Sequence, residues 1–280
     1  MKLYQAALFS KRFFIHTVMV LLTLLAIVPI YLVMVNATRS AEQINTGISL
    51  LPSTYLKYNW NALTGRGFQI WQGFRNSAFI SISATILSVY FSAMTAYGLH
   101  VYRFRGRTAI WTTILIIMML PGTLTFIGFY QFMAQLKLTN NFIPLIIPGI
   151  AAGATVLFIR QFMMSVLSME LIDAARIDGA GEYRIFNLII IPIITPALAT
   201  QAIFTFVSSW NNFITPFVLI SNMKLYTLPM LVQSLRGDIY RTEFGGIYLG
   251  IAISLVPIII FYIFMSRFII SGLSMGSIKE

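Results

Sequence analysis

The sequence predicts an all-α, polytopic membrane protein. Three observations carry that prediction: a composition poor in charge, a series of long apolar runs, and basic residues gathered at a short connection. Of 280 residues, 58% are hydrophobic and 10% are charged, and the mean hydropathy is +0.82. A soluble domain ordinarily has about a quarter charged residues. A soluble fold of this size could not hide so much apolar surface, so the matching solvent is lipid. The net charge of +11 is then read as charge flanking membrane spans, not as a nucleic-acid footprint. The chain has no cysteine, which excludes a disulfide scaffold, thiolate metal sites and a cysteine nucleophile.

A spanning helix needs about 20 mostly apolar residues. Six stretches meet that length: Phe13–Ala37, Ser77–Val101, Ala109–Ala134, Phe142–Leu167, Ile189–Trp210 and Gly246–Ile270. The first follows Lys2, Lys11 and Arg12 but is too long for a signal-peptide core and has no clean A-x-A site, so it reads as a retained helix. The short link Arg103-Phe-Arg-Gly-Arg107 places its side in the cytoplasm by the positive-inside rule. The basic N-terminus, the loop 168–186 and the C-terminal tail with Arg267 and Lys279 then share that side, and both termini are expected in the cytoplasm. The segment 38–76 falls outside although it contains Arg39, Lys57, Arg66 and Arg75, so the short loops carry the assignment. Pro29, Pro121, Pro148, Pro192, Pro196 and Pro257 lie in or beside the apolar runs, where neighbouring helices can satisfy the carbonyls they release. Ser77, Ser81, Thr85, Ser88 and Ser92 recur every three or four residues on one face. Close helix packing explains that face better than a wet pore wall.

The eight carboxylates are Glu42, Glu170, Asp173, Asp178, Glu182, Asp238, Glu243 and Glu280, and none falls mid-span. A proton- or sodium-driven carrier ordinarily keeps an ionisable group near the bilayer centre. His16 and His100 lie at span edges. Neither H-E-x-x-H nor a phosphate-binding G-x-x-x-x-G-K-[ST] occurs in the sequence, so any ATP-derived energy has to come from another chain. Half of the carboxylates fall between Glu170 and Glu182. There, Ser168 is placed to cap a helix whose first turns carry Glu170 and Asp173, and Gly179 or Gly181 is placed to end it. Leu171, Ala174, Ala175 and Asp178 are spaced to share a face. From composition alone, a surface amphipathic helix and a docking helix are equally good readings.

The run Asp173-Ala174-Ala175, then Gly179, then Ile189-x-Ile191-Pro192, resembles the EAA signature of ABC-importer permeases. Asp173 stands for the usual glutamate and Ile191 for the usual leucine. Asn76-Ser77, the basic link 103–107, Leu120-Pro121-Gly122, Arg160-Gln161-Phe162, Trp210-Asn211-Asn212-Phe213 and the tail Gly272-Leu273…Gly276-Ser-Ile-Lys279 are similar to the carbohydrate branch, near the smaller permease subunit of maltose-type systems. The resemblance covers residues 10 to 280 and implies a type I importer permease (MetI-like) fold in one transmembrane domain, 1–280. It implies a bacterial or archaeal cytoplasmic membrane, a second homologous permease subunit, a pair of ATPase subunits, an extracytoplasmic solute-binding protein and a sugar, in that branch an oligosaccharide. It also implies that this chain binds no cofactor, with ATP and Mg2+ used by the ATPase. The helix would couple to the ATPase through Glu170, Asp173, Ala174, Ala175, Arg176, Asp178 and Gly179. The tail around Gly276–Glu280 would reach toward the same partner.

The expected translocation path starts from Trp210, Asn211 and Asn212 near the outer mouth, with Gln201, Thr205, Ser208 and Ser209 below them on one face. Amides and hydroxyls beside an aromatic ring suit a sugar. For any one residue, an interfacial tryptophan and a helix-capping asparagine are competing readings. At the level of function, the alternatives are a permease for a non-sugar solute and an integral membrane enzyme.

Overall fold

The computed structural model describes the backbone of residues 2–65, 69–235 and 243–276, with the side chains of 11–65, 69–122, 126–235 and 243–269. All regular structure among the described residues is helical. Arg66, Asp238 and the tail residues 277–280 lie outside the described residues.

The chain forms two compact units. The first comprises Met1–Ile70 and Leu231–Val256. It begins with α1 (Lys2–Asn36), whose apolar side chains from 11 to 31 are exposed, the condition of a helix solvated by acyl chains. Two short helices follow, α2 (Ala41–Asn45) and α3 (Leu56–Thr64). Ser40 and Gln43 form a capping box at the start of α2. Arg39 is buried and donates to Asn36 Oδ1 at 3.0 Å, to the Gly47 carbonyl at 3.0 Å and to the Gln43 carbonyl. Its charge therefore organises a turn and is not a topology marker. Asn59, also buried, donates to the carbonyls of Ala37 at 2.8 Å and Arg39 at 2.9 Å.

The second unit comprises Trp71–Met230 and Pro257–Glu280. Its first long helix is α4 (Ile70–Val101). Where the sequence predicts one run over 109–134, the structure has α5 (Arg107–Met119) and α6 (Gly122–Gln135). Pro121 has no N–H for the ladder and forces Leu120 into extended backbone, ψ 130°. Next come α7 (Ile143–Ile146), a 3-10 turn Ile147–Gly149 and α8 (Gly153–Val166). They are followed by α9 (Met169–Ile177), α10 (Glu182–Ile185), a π turn Phe186–Ile190, α11 (Ile191–Ile193) and α12 (Thr195–Trp210). The chain bends by 80° at the break between residues 193 and 195, where Pro192 and Pro196 each remove a ladder donor. The sequence completes with α13 (Ile214–Leu219), α14 (Leu228–Ser234) and α15 (Phe244–Gly276).

Among the described residues, four helical segments are long and apolar enough to cross a membrane: 11–36, 70–101, 143–166 and 244–269. The bent pair Glu182–Ile193 and Thr195–Trp210 supplies a fifth if it forms one span. The stripe Ser77, Ser81, Thr85, Ser88 and Ser92 is wholly buried. Small side chains there let α4 run close to its neighbours, and Ser77 Oγ accepts the Leu228 N–H at 2.9 Å.

Candidate functional site

Local chemistry sets both ends of α9. Ser168 lies in extended backbone, and its Oγ accepts the Leu171 N–H at 3.3 Å while donating to Glu170 Oε2 at 2.6 Å. At the other end Gly179 is left-handed, φ +80°. The Ala180 N–H reaches the Ala175 carbonyl at 3.0 Å and the Gly179 N–H reaches the Arg176 carbonyl at 3.0 Å, which is the paired bonding of a Schellman stop.

The helix has two unlike faces. Ile172 (0% exposed) and Ala175 (8%) enter an apolar core with Ala93, Ala96, Tyr97, Ile159, Met163, Ile185 and Phe186. Glu170, Leu171, Asp173, Ala174, Ile177 and Asp178 face outward. Ala175 therefore packs within its own chain, whereas Ala174 is open to a partner. Ile177, 86% exposed, was not among the sequence candidates. Neither was Tyr183, also exposed just beyond the turn.

Arg176 is held by two carboxylates. Its Nη1 lies 3.1 Å from Asp173 Oδ1, and its Nε donates to Glu182 Oε1 at 2.7 Å. The Glu182 bond is the main cause that raises the guanidinium further above the usual arginine range. Glu182 Oε2 accepts the hydroxyls of Tyr97, at 3.0 Å, and of Tyr102. Burial first, then the bond to Glu182, raises the Tyr102 phenol above its ordinary value. The guanidinium also sits over the Tyr102 ring, 5.8 Å from its centroid. The sequence held a sign of this cluster in the six-residue step from Arg176 to Glu182 across two glycines, but the tyrosines come from far away in the chain.

The candidates near the end of α12 separate. Trp210 (1% exposed) packs edge-to-face on Phe74 at 5.5 Å between centroids and stacks on Phe206 at 5.6 Å. Phe206 stacks in turn on Phe261 at 4.1 Å. This aromatic column anchors helices. Gln201 is buried, Thr205 is half-buried, and Ser208 and Asn211 are exposed. The Asn211 N–H closes the helix end on the Val207 carbonyl at 3.0 Å. Asn212 lines a cavity of about 410 Å³ together with Gly122, Phe126, Phe129, Pro148 and Thr215. Three interruptions of helix meet there: the α5–α6 break, the turn before α8 and the α12–α13 junction. Interrupted helices at membrane depth are tolerated where they line a cavity. Two aromatic rings beside an amide and a hydroxyl give this one a mixed lining. No group of three or more His, Asp or Glu among the described residues is arranged to hold a metal ion.

A family model described as "Binding-protein-dependent transport system inner membrane component" matches residues 88–274. The chain is 37% identical over 250 residues to the arabinooligosaccharides transport system permease protein AraQ of Halalkalibacterium halodurans, covering 89% of each chain. It is 32% identical over 262 residues to AraQ of Bacillus subtilis, covering 92% of each. Its fold is similar to that of a chain in the crystal structure of a bacterial ABC transporter involved in the import of the acidic polysaccharide alginate. That match has a TM-score of 0.76 and 24% identity, over 92% of this chain and 97% of the other.

Proposed function

The chain belongs to the family of binding-protein-dependent transport system inner membrane components, and we propose that it is the transmembrane permease subunit of an ATP-driven importer for an oligosaccharide. The observation that carries the transport role is α9. It is a helix capped at both ends, with one face rooted in the core and the other presenting Leu171, Ala174 and Ile177 outward. In this reading the outward face docks on an ATPase subunit. Glu170, Asp173, Arg176 and Asp178 supply charge around the contact, Ala175 seats the helix and Gly179 sets the turn behind it. The sugar assignment is supported by the two AraQ relatives, named for arabinooligosaccharides.

The proposed assembly has six spans in one domain over 1–280, both termini in the cytoplasm, and the cytoplasmic membrane of a bacterium or archaeon as its site. A second permease subunit, two ATPase subunits and an extracytoplasmic binding protein complete it. ATP and Mg2+ belong to the ATPase, and this chain binds no cofactor. Closure of the ATPase pair would drive the docked helices together and change which side of the membrane the path faces. The proposed path passes the cavity at Asn212 and Thr215, with Gln201, Thr205, Ser208, Trp210 and Asn211 along or behind its wall.

The test is ATP hydrolysis and uptake by the reconstituted complex with its binding protein. Stimulation by arabinose-type oligosaccharides, and not by amino acids, peptides or glycerol phosphate, supports the assignment. Stimulation by one of the latter alone would reassign the substrate. Hydrolysis of a lipid or polymer by the isolated chain would replace the transport reading with an enzyme.

A further inference from the structure

Glu182 stands at the start of α10, outside the motif residues of α9, and both of its carboxylate oxygens are occupied. Oε1 accepts Arg176 Nε at 2.7 Å, and Oε2 accepts the hydroxyls of Tyr97, at 3.0 Å, and Tyr102. Arg176 belongs to α9, Tyr97 to the last turns of α4, and Tyr102 directly follows that helix. One side chain thus joins three elements that meet at the same edge of the second unit.

We infer that Glu182 is a positioning residue that clamps α9 and α10 to α4, so that displacement of α9 is delivered to α4 through directional bonds as well as along the chain. The inference rests on α9 being the helix that docks on the ATPase. The covalent route from α9 to α10 runs through residues 178–181, which include Gly179 and Gly181. The Gly179 and Ala180 N–H bonds tie that turn back to α9, and its two glycines leave it freer than a helix. Apolar packing of Ile172 and Ala175 seats α9 but is non-directional, so without a polar tie the α9–α10 junction would pass less of a load on. A carboxylate that accepts a guanidinium on one oxygen and two phenols on the other stiffens the joint, because charge-assisted bonds are stronger than neutral ones. The second contact of Arg176, to Asp173 at 3.1 Å, lies within α9 and fixes the guanidinium from its own side. Burial of Ile172 and Ala175 in one core with residues of α4 and α8 gives the clamp a close-packed seat.

The absence of native cysteine allows spin labels at Leu171→Cys and Arg105→Cys, both exposed positions, in the full chain reconstituted in lipid discs. The expected result is one narrow distance distribution. It should broaden in Glu182→Gln, which keeps the shape and loses the charge, and in the Tyr97→Phe/Tyr102→Phe pair. An unchanged distribution in both variants overturns the inference. In the complete transporter the same variants should lower solute moved per ATP by about fivefold or more, with ATP hydrolysis falling less than transport. Equal loss of both, or an unchanged ratio, also overturns it. Failure of the sugar assignment has a different signature: the unaltered complex moves no sugar, while the label distances still decide the clamp.

Discussion

Asn212 grips Thr215 at two points: its Oδ1 accepts the Thr215 N–H at 3.2 Å, and its Nδ2 donates to Thr215 Oγ1 at 3.2 Å. The pair starts α13 and fixes an amide and a hydroxyl on the wall of the cavity, beside Phe126 and Phe129. Asn212→Ala removes both contacts. Each such bond is worth about 0.5–1.5 kcal/mol net, so the amide and hydroxyl should lose their fixed place on the wall and the KM for sugar uptake should rise. Thr215→Val, which spares the backbone bond, should have a smaller effect. Uptake kinetics with unchanged KM in both variants would remove the cavity from the path.

Gly179 is placed by its backbone, not by crowding. At φ +80° a Cβ would meet no atom within 4 Å. Substitutions should therefore rank by their tolerance of left-handed backbone, with Asn mildest, Ala intermediate at about 1 kcal/mol and Val worst. The readouts are thermal stability of the complex and transport per ATP. Gly179→Asp should uncouple hydrolysis from transport more than it unfolds the chain, because aspartate tolerates this conformation and adds charge to the docking face. A ranking by side-chain volume would contradict this account.

Neighbouring alanines on α9 should fail in different ways. Ala174→Arg and Ile177→Asp alter the exposed face, so the chain should express and assemble with its partner permease while losing binding-protein-stimulated hydrolysis. Ala175→Arg drives a charge into the core that Ala175 shares with Tyr97 and Ile159, where an unpaired charge costs several kcal/mol. That variant should be lost at the level of folding, seen as low yield and a lowered Tm. If Ala175→Arg folded normally and failed only in coupling, the assignment of faces would be wrong.

Which features were legible in the sequence follows from the range of the interactions. The cap at Ser168 and the stop at Gly179 are local chemistry, readable within four residues. Periodicity assigned Leu171, Ala174, Ala175 and Asp178 to one face, but a step of one residue turns a helix by about 100°. Ala175 sits past the edge of that face, and only the core behind it decides its direction. Hydropathy over 109–134 is continuous across Leu120–Pro121, so the break was visible in the proline and invisible in the average. Trp210 reads as an interfacial ring until Phe74 and Phe206 are seen to enclose it. Glu182 meets hydroxyls 85 and 80 residues away, a pairing that no local pattern contains.

In the first unit, Gly245 is required by contact. A Cβ there would lie 2.4 Å from both terminal atoms of the Asn59 amide and 2.5 Å from the Arg39 carbonyl oxygen. Asn59 is buried and tied to the Ala37 and Arg39 carbonyls, so its amide cannot swing aside without leaving polar groups unpaired. Gly245→Ala should cost about 1–3 kcal/mol, read as a fall in the unfolding midpoint of the detergent-solubilised chain. Combining it with Asn59→Ala should cost less than the sum of the two single changes, since the clash and the bonds share one side chain. Additive losses would place the defect elsewhere.

The 80° bend between residues 193 and 195 is written into two prolines, and each has a different consequence. Pro192 and Pro196 both lack the N–H that would close a ladder bond, and the Thr195 hydroxyl donates to the Ile191 carbonyl at 2.9 Å, occupying an acceptor next to the bend. Pro196→Ala restores a donor whose i−4 acceptor is the carbonyl of Pro192, across the bend itself. Pro192→Ala restores one that bonds back toward Leu188, inside the π turn. Pro196→Ala should therefore straighten the segment more. Spin labels at Tyr183→Cys and Ser208→Cys, both exposed, read this as a longer distance in Pro196→Ala than in Pro192→Ala. Restoring a helical bond should raise Tm. Transport should fall, because a straight helix carries α9 and α12 out of the geometry in which the first can move the second. A straightened helix with full transport would show that the bend is incidental to coupling.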